Sequence, residues 1–132
     1  MSASTEPSEK IRALIVDDSP LTLELMRSYL NELPFLEVVG VAESGTAALK
    51  LAPTLKPDLV LTDLRMPGMD GLELARKLGE ISPKIQVILA TVEDNELLQR
   101  AARQNNVRSI VLKDRLHEDL LQQVFLIFPE RR

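Results

Sequence analysis

The sequence predicts an α/β fold, a doubly wound sheet of five parallel strands with helices on both faces. Apolar stretches switch from a strand-like to a helix-like period five times along the chain. The connections between them are short, and the strand segments are near-continuous apolar runs, as burial on both faces of a sheet requires. Right-handed crossovers place successive helices on either side of such a sheet, and five βα units suggest the flavodoxin-like strand order 2-1-3-4-5.

The first strand is the run over residues 11–16, apolar apart from Arg12 and ended abruptly by Asp17 and Asp18. Ser19 then offers an N-cap and Pro20 suits the first helical position, with Leu23, Met26, Leu30 and Leu33 at helical spacing as far as Pro34. Residues 36–42 read as the second strand. Ser44 caps a short second helix carrying Ala47, Ala48 and Leu51. Pro53 is expected to end or bend it, because proline lacks an N–H and crowds the preceding turn. After the Lys56-Pro57 turn, residues 58–63 form a third strand that closes on the carboxylate of Asp63.

The loop Met66-Pro67-Gly68-Met69-Asp70-Gly71 leads into a third helix with Leu74, Ala75 and Leu78 on one side. In this stretch Pro57 and Asp58 read as structural, setting the start of the third strand, Pro67, Gly68 and Gly71 as loop geometry, and Met66 and Met69 as loop packing. Residues 85–90 make the fourth strand, followed by Thr91. Leu97, Leu98, Ala101 and Ala102 mark a fourth helix that ends near Asn105 and Asn106, a residue type that tolerates a left-handed C-cap. Ile110, Val111 and Leu112 form a short fifth strand before Lys113, and the last helix runs from about Leu116 towards Phe128, where Pro129 stops it.

At 132 residues the chain has room for one closed core and not for two. We divide it into a flexible tail over 1–9, a folded domain over 10–128, and a C-terminal tail or start of a linker over 129–132. Hydrophobic residues at 45% and charged residues at 27% place it among globular chains. Without cysteine there is no disulfide framework and no thiolate metal site, which makes a reducing cytoplasm the natural compartment. No signal-like apolar segment follows Met1, and no apolar run is long enough to span a bilayer, so a soluble protein is expected. A net charge of -4 argues against direct nucleic acid binding by this chain.

Four predicted strands end in a conspicuous polar residue: Asp17 with Asp18, then Asp63, Thr91 and Lys113. In a parallel sheet those ends share one edge, and open parallel sheets bind ligands beyond it, at the switch point between the first and third strands. Three carboxylates gathered there repel one another unless a cation intervenes. All-oxygen ligands suit Mg2+, with Mn2+ as the other candidate. Lys113 adds a positive charge and Thr91 a hydroxyl, which completes a site for phosphoryl transfer by positioning and charge neutralisation. Taken singly these residues read as turn formers, caps or solvated charges; their joint placement at strand ends favours function.

With Val16-Asp17-Asp18-Ser19, Pro57 to Asp63 continuing through Met66-Pro67-Gly68-Met69-Asp70-Gly71, Thr91 and Leu112-Lys113-Asp114 in this order, the chain resembles a CheY-like response-regulator receiver domain of two-component signalling from about Lys10 to Phe128. The resemblance implies that Asp63 accepts a phosphoryl group from a phosphohistidine on a histidine kinase or phosphotransfer protein. It implies Mg2+ held by Asp18, Asp63 and the main-chain carbonyl of Arg65, with Asp17 acting largely through a water. Thr91 and Lys113 would engage the phosphoryl group and draw their loops into an active arrangement. The fourth helix, fifth strand and fifth helix would form the output face, as a surface for a downstream protein or domain or for a homodimer. A signalling domain rather than an enzyme is implied, with only self-phosphorylation and autodephosphorylation of its own.

Departures from the family pattern occur at Ile110, where an aromatic residue is usual, and at Val92, where a small one is usual. Val92 is expected to narrow access to the site and slow phosphorylation or hydrolysis. Arg65 and Glu93, each two positions beyond a site residue, are expected to face each other across its mouth. Val92 and Ile110 motivate the alternative of a pseudo-receiver, a phosphorylation-independent interaction module. A phosphohydrolase is a further alternative, against which Asp63-Leu64-Arg65 lacks a second acid/base carboxylate. Lys113-Asp114 resembles receivers that precede helix-turn-helix DNA-binding domains. His117 is expected on a helix surface without a catalytic role, and the apolar residues Leu120, Leu121 and 124–128 are expected to leave an exposed patch on the last helix. Arg100, Arg103 and Arg108 fall on or near the output face, where a partner role is set only slightly above a solvated helix surface.

Overall fold

The computed structural model describes residues 10–131; the tail expected over 1–9 and the terminal Arg132 lie outside the described residues. The strands are β1 (Ile11–Val16), β2 (Leu36–Ala42), β3 (Leu59–Asp63), β4 (Gln86–Thr91) and β5 (Ser109–Leu112). The helices are α1 (Pro20–Asn31), α2 (Gly45–Leu55), α3 (Gly71–Ile81), α4 (Glu96–Gln104) and α5 (Leu116–Ile127), with short 3-10 turns at Lys113–Arg115 and Pro129–Arg131. All strand pairings are parallel and the sheet order is β2-β1-β3-β4-β5, the expected flavodoxin-like topology.

Alternation along the strands sends side chains to two cores. Leu14, Val16, Val60, Val87 and Leu89 meet α2, α3 and α4 on one face. Ile11, Ala13, Ile15, Leu59, Leu61 and Ile88 meet α1 and α5 on the other. Four helices begin at a side-chain cap, in which Ser19, Ser44, Asp70 and Asn95 accept the N–H of the residue three further on. Each such cap typically contributes about 1 kcal/mol.

Of the two outcomes expected at Pro53, an end or a bend, α2 does not end there. The helix runs on to Leu55, and the Lys56 N–H still reaches the Ala52 carbonyl at 2.8 Å. Proline in the last turn forfeits one donor without forfeiting the turn; the helix stops instead at Lys56, whose φ of 50° is left-handed. β3 and β4 each begin one residue later than expected, at Leu59 and Gln86. Asp58 fixes the start of β3 through a pair of bonds with Arg12. Its N–H donates to the Arg12 carbonyl at 2.8 Å, and its Oδ2 accepts the Arg12 N–H at 2.9 Å.

The patch expected on the last helix is largely covered. Leu120 and Val124 are buried, Phe125 packs on Phe35 with ring centroids 5.2 Å apart, and of the large apolar residues on this helix Leu126 stands out at 63% exposed. His117 lies on the surface, but its ring is 3.8 Å from that of Tyr29. The Tyr29 hydroxyl donates to the His117 carbonyl at 2.8 Å, tying α1 to α5. Burial, then the charges of Glu32 and Glu118, raise the Tyr29 pKa, so the donor form persists at all ordinary pH. Tyr29→Phe is expected to cost about 1 kcal/mol in urea denaturation, the usual net worth of such a bond. An unchanged midpoint would show that this link does not hold the two helices. Among the described residues no helix is long and apolar enough to cross a membrane.

Candidate functional site

Strand register delivers the polar residues to one edge. Val16 pairs with Thr62, Asp63 with Ala90, and Thr91 with Leu112, so Asp17, Asp63, Thr91 and Lys113 all arrive at the carboxyl ends of neighbouring strands. The edge includes the β1–β3 switch point. Asp17, Asp63 and Thr91 are buried, Asp18 is exposed, and Lys113 is half-buried.

Lys113 Nζ lies 3.0 Å from Asp17 Oδ2 and 3.2 Å from Asp63 Oδ1, and so bridges the two buried carboxylates. Asp17, like Asp63, is thus a direct partner of the lysine. Its other oxygen accepts the Ser19 N–H at 2.9 Å, which turns the chain into α1. Asp63 Oδ1 also accepts the Leu64 N–H at 2.8 Å. Burial first, and then the charge of Asp17, push the Asp63 carboxyl above its ordinary value, against the pull of Lys113 and the Leu64 N–H. Burial alone would lower Lys113, but its bonds and charge contacts with Asp17 and Asp63 outweigh that and raise it.

Carboxylate oxygens of Asp17, Asp18 and Asp63 lie within 4.8 Å of one another. Opposite oxygens on a Mg2+ octahedron stand about 4.2 Å apart, so small side-chain rotations suffice for these groups to share one hard cation. The donor set is all oxygen and the two buried acids exceed their single lysine in charge, which is also what such an ion fits.

Thr91 Oγ1 accepts the Glu93 N–H at 3.2 Å. Arg65 and Glu93 do face each other, through two parallel bonds: Nε to Oε2 at 2.6 Å and Nη2 to Oε1 at 2.8 Å. The Arg65 guanidinium holds the Glu93 carboxyl below its ordinary value. Val92 is 78% exposed. It stands at the surface, directly after the buried Thr91. Ile110 packs, half-buried, on the α2–α4 core.

Sequence reasoning missed how tightly Gly71 is held. A Cβ there would overlap the carbonyl oxygen of Asp63 and come within 2.8 Å of Leu89 Cδ2 and 3.1 Å of Leu64 Cα. The Gly71 N–H donates to the Leu64 carbonyl at 2.8 Å, which brings the start of α3 against the strand end that carries Asp63. The signal was the spacing of Gly71 from Asp63, a loop closing back on its own origin. Met69 likewise packs on Gly45, where a Cβ would meet its sulfur at 2.8 Å.

The family profile described as the response regulator receiver domain matches residues 13–125. The response regulator GacA of Pseudomonas viridiflava is 37% identical over 122 residues, covering 92% of this chain and 57% of that protein. The nitrate/nitrite response regulator protein NarL of Escherichia coli K12 is 36% identical over 114 residues, covering 86% and 53% respectively. The chain thus spans about half the length of these relatives. Among solved structures, the signal receiver domain of the putative response regulator NarL from Mycobacterium tuberculosis superposes with a TM-score of 0.83 at 33% identity, covering 94% of this chain and 99% of that one. With the profile spanning nearly the whole described fold and the acidic edge in place, the chain belongs to the response-regulator receiver domain family.

Proposed function

We propose that the chain is a phosphorylation-switched receiver over residues 10–128 in which Asp63 accepts a phosphoryl group from a phosphohistidine donor. The observation that carries this reading is the Asp17–Lys113–Asp63 bridge at the β1–β3 switch point, with Asp18 beside it. An Asp63 oxygen attacks phosphorus, the phosphorus–nitrogen bond of the donor breaks, and the imidazole leaves with the bonding pair and takes a proton. Lys113 is placed to exchange its contact with Asp63 for one with a phosphoryl oxygen, and Thr91 to turn its hydroxyl towards that group. Mg2+, or Mn2+, held by Asp17, Asp18, Asp63 and the Arg65 carbonyl, supplies charge neutralisation when bound.

A groove of ≈ 490 Å³ lined by Leu25, Tyr29, Lys113, Asp114, Leu116 and His117 opens beside the lysine. Leu21 and Leu25 are 71% and 63% exposed on the adjacent helix, which supports docking of a kinase or phosphotransfer protein there. Output runs through α4, β5 and α5 to a downstream protein or domain, or to a second copy, in the cytoplasm. Ile110 and Val92 modulate the switch rather than abolish it.

Incubation with Mg2+ and a small acyl phosphate, followed by intact mass measurement, tests the assignment. Wild type is expected to gain one phosphoryl group and Asp63→Asn none. If wild type stays unmodified under conditions that label an ordinary receiver, the chain is instead an interaction module of the same fold.

A further inference from the structure

We infer that the cleft at the amino ends of β3 and β4, at the opposite end of the sheet from the acidic edge, is a binding site for a small apolar carboxylate. The cleft holds ≈ 360 Å³ between the last turns of α2 and α3 and the loops that lead into β3 and β4. Sites for small molecules typically enclose about 300 to 1,000 Å³. Asp63 and Thr91 close the same two strands at their other ends, so the inference does not rest on the phosphoacceptor reading.

The floor of the cleft is apolar. Ala52, Pro57 and Ile85 are buried in its lining, while Ile81 forms a lip that is 44% exposed, a large aliphatic side chain left uncovered at the end of α3. Lys56 and Lys84 join the lining from the two loops, and both are exposed. Among the described residues the ion pairs are made by other groups, so both ammonium groups are without a carboxylate partner. Asp58 is the one carboxylate in the lining, and its Oδ2 already accepts the Arg12 N–H at 2.9 Å. Two ammonium groups against one carboxylate leave the mouth positive. The negative end of α2, which would repel an anion, is countered by Arg12, whose guanidinium donates to the Leu55 carbonyl at 3.2 and 2.7 Å.

The backbone adds a separate observation. Lys56 has a φ of 50°, a left-handed position that glycine or asparagine usually fills. Conformations of this kind in other residues concentrate at ligand clamps and functional loops. Here the position is held by a lysine at the rim of the cleft. A positive rim over an apolar floor selects a ligand with one anionic head and an aliphatic or aromatic body. A neutral ligand leaves both lysines unused, and a dianion would bring a second charge onto the floor, where desolvation opposes it.

Octanoate is the probe, titrated into the isotope-labelled full chain and followed by amide NMR shifts, with octanol and octylamine as matched ligands that lack or reverse the charge. Shifts are expected at Ile81, Ser82, Lys84 and Ile85, with octanoate bound about tenfold more tightly than either matched ligand. Lys56→Asn, which keeps a residue tolerant of the left-handed backbone, and Lys84→Gln are each expected to weaken octanoate about threefold, and the double variant about tenfold. Raising ionic strength from about 0.01 M to about 1 M should weaken octanoate and not octanol. Ile81→Ser should weaken both ligands by about the same factor, since it removes apolar contact and no charge. Octanol or octylamine binding as tightly as octanoate, or shifts scattered over the exposed Leu21, Leu25, Leu97 and Leu126, would mark adsorption to apolar surface and overturn the site. Lysine variants that bind octanoate as tightly as wild type would overturn it too, leaving Lys56 and Lys84 as charges that only balance the helix ends.

Discussion

Gly71→Ala is expected to lower the stability of the domain by about 2–3 kcal/mol, a large effect for one methyl group. A helix-start glycine would ordinarily accept alanine with little change. Here the added carbon would overlap the Asp63 carbonyl and press on Leu64 Cα, two backbone positions that cannot rotate away. Either α3 withdraws, losing the Gly71 N–H bond to Leu64 and the packing of Leu74 and Leu78, or the end of β3 shifts and carries Asp63 with it. Gly79→Ala is the control. Its new carbon would meet the side-chain amide of Asn106 at 2.7 Å, a group that can swing aside at the cost of its bond to the Ala75 carbonyl, within a helix that favours alanine. Urea midpoints should therefore separate the two variants, with Gly79→Ala within about 1 kcal/mol of wild type. Equal midpoints would mean that the β3–α3 junction has slack to absorb a methyl group, and Gly71 would revert to an ordinary helix-start residue.

Mg2+ is expected to stabilise wild type by about 2.7 kcal/mol at about 100 times its dissociation constant, because folding alone assembles the three carboxylates. Asp63→Asn should lose most of that increment while being more stable than wild type in chelator at neutral pH. The second half follows from the raised pKa of Asp63. A carboxyl whose folded pKa stands above its unfolded value is protonated more readily in the folded state. Its contribution to stability is fully present below the unfolded value, near 3.8, and is lost as pH rises through the folded value. Above that window the charged group is a liability that asparagine removes and a cation offsets. Thermal denaturation of both proteins in chelator and in Mg2+, at neutral pH and near pH 4, separates these contributions. A metal-free Asp63→Asn less stable than wild type at neutral pH, or an equal response to Mg2+ in both, would falsify this account of the acidic edge.

How much of this was legible in the chain can be judged residue by residue. Periodicity and caps located all ten main elements, since Ser19, Ser44 and Asn106 act through their own neighbours in sequence and a local signal suffices. Pro53 did not mark the end of α2 itself, because proline's cost is set for helix interiors and only two residues of this helix follow it. The apolar patch expected on α5 shrank because Phe125 is covered by Phe35, a neighbour that no helical spacing announces.

The same division holds at the site. The sequence by itself determined the fold class, the strand order and the set Asp17, Asp18, Asp63, Thr91 and Lys113, because parallel strands end together and polar residues at those ends have one edge to share. Tertiary structure alone decided that the lysine bridges Asp17 and Asp63, that Arg65 and Glu93 meet in a forked pair, and that Gly71 closes against Asp63. Those facts depend on side-chain direction and on approaches of a few ångströms between residues far apart in the chain, which packing sets and spacing along the sequence does not encode.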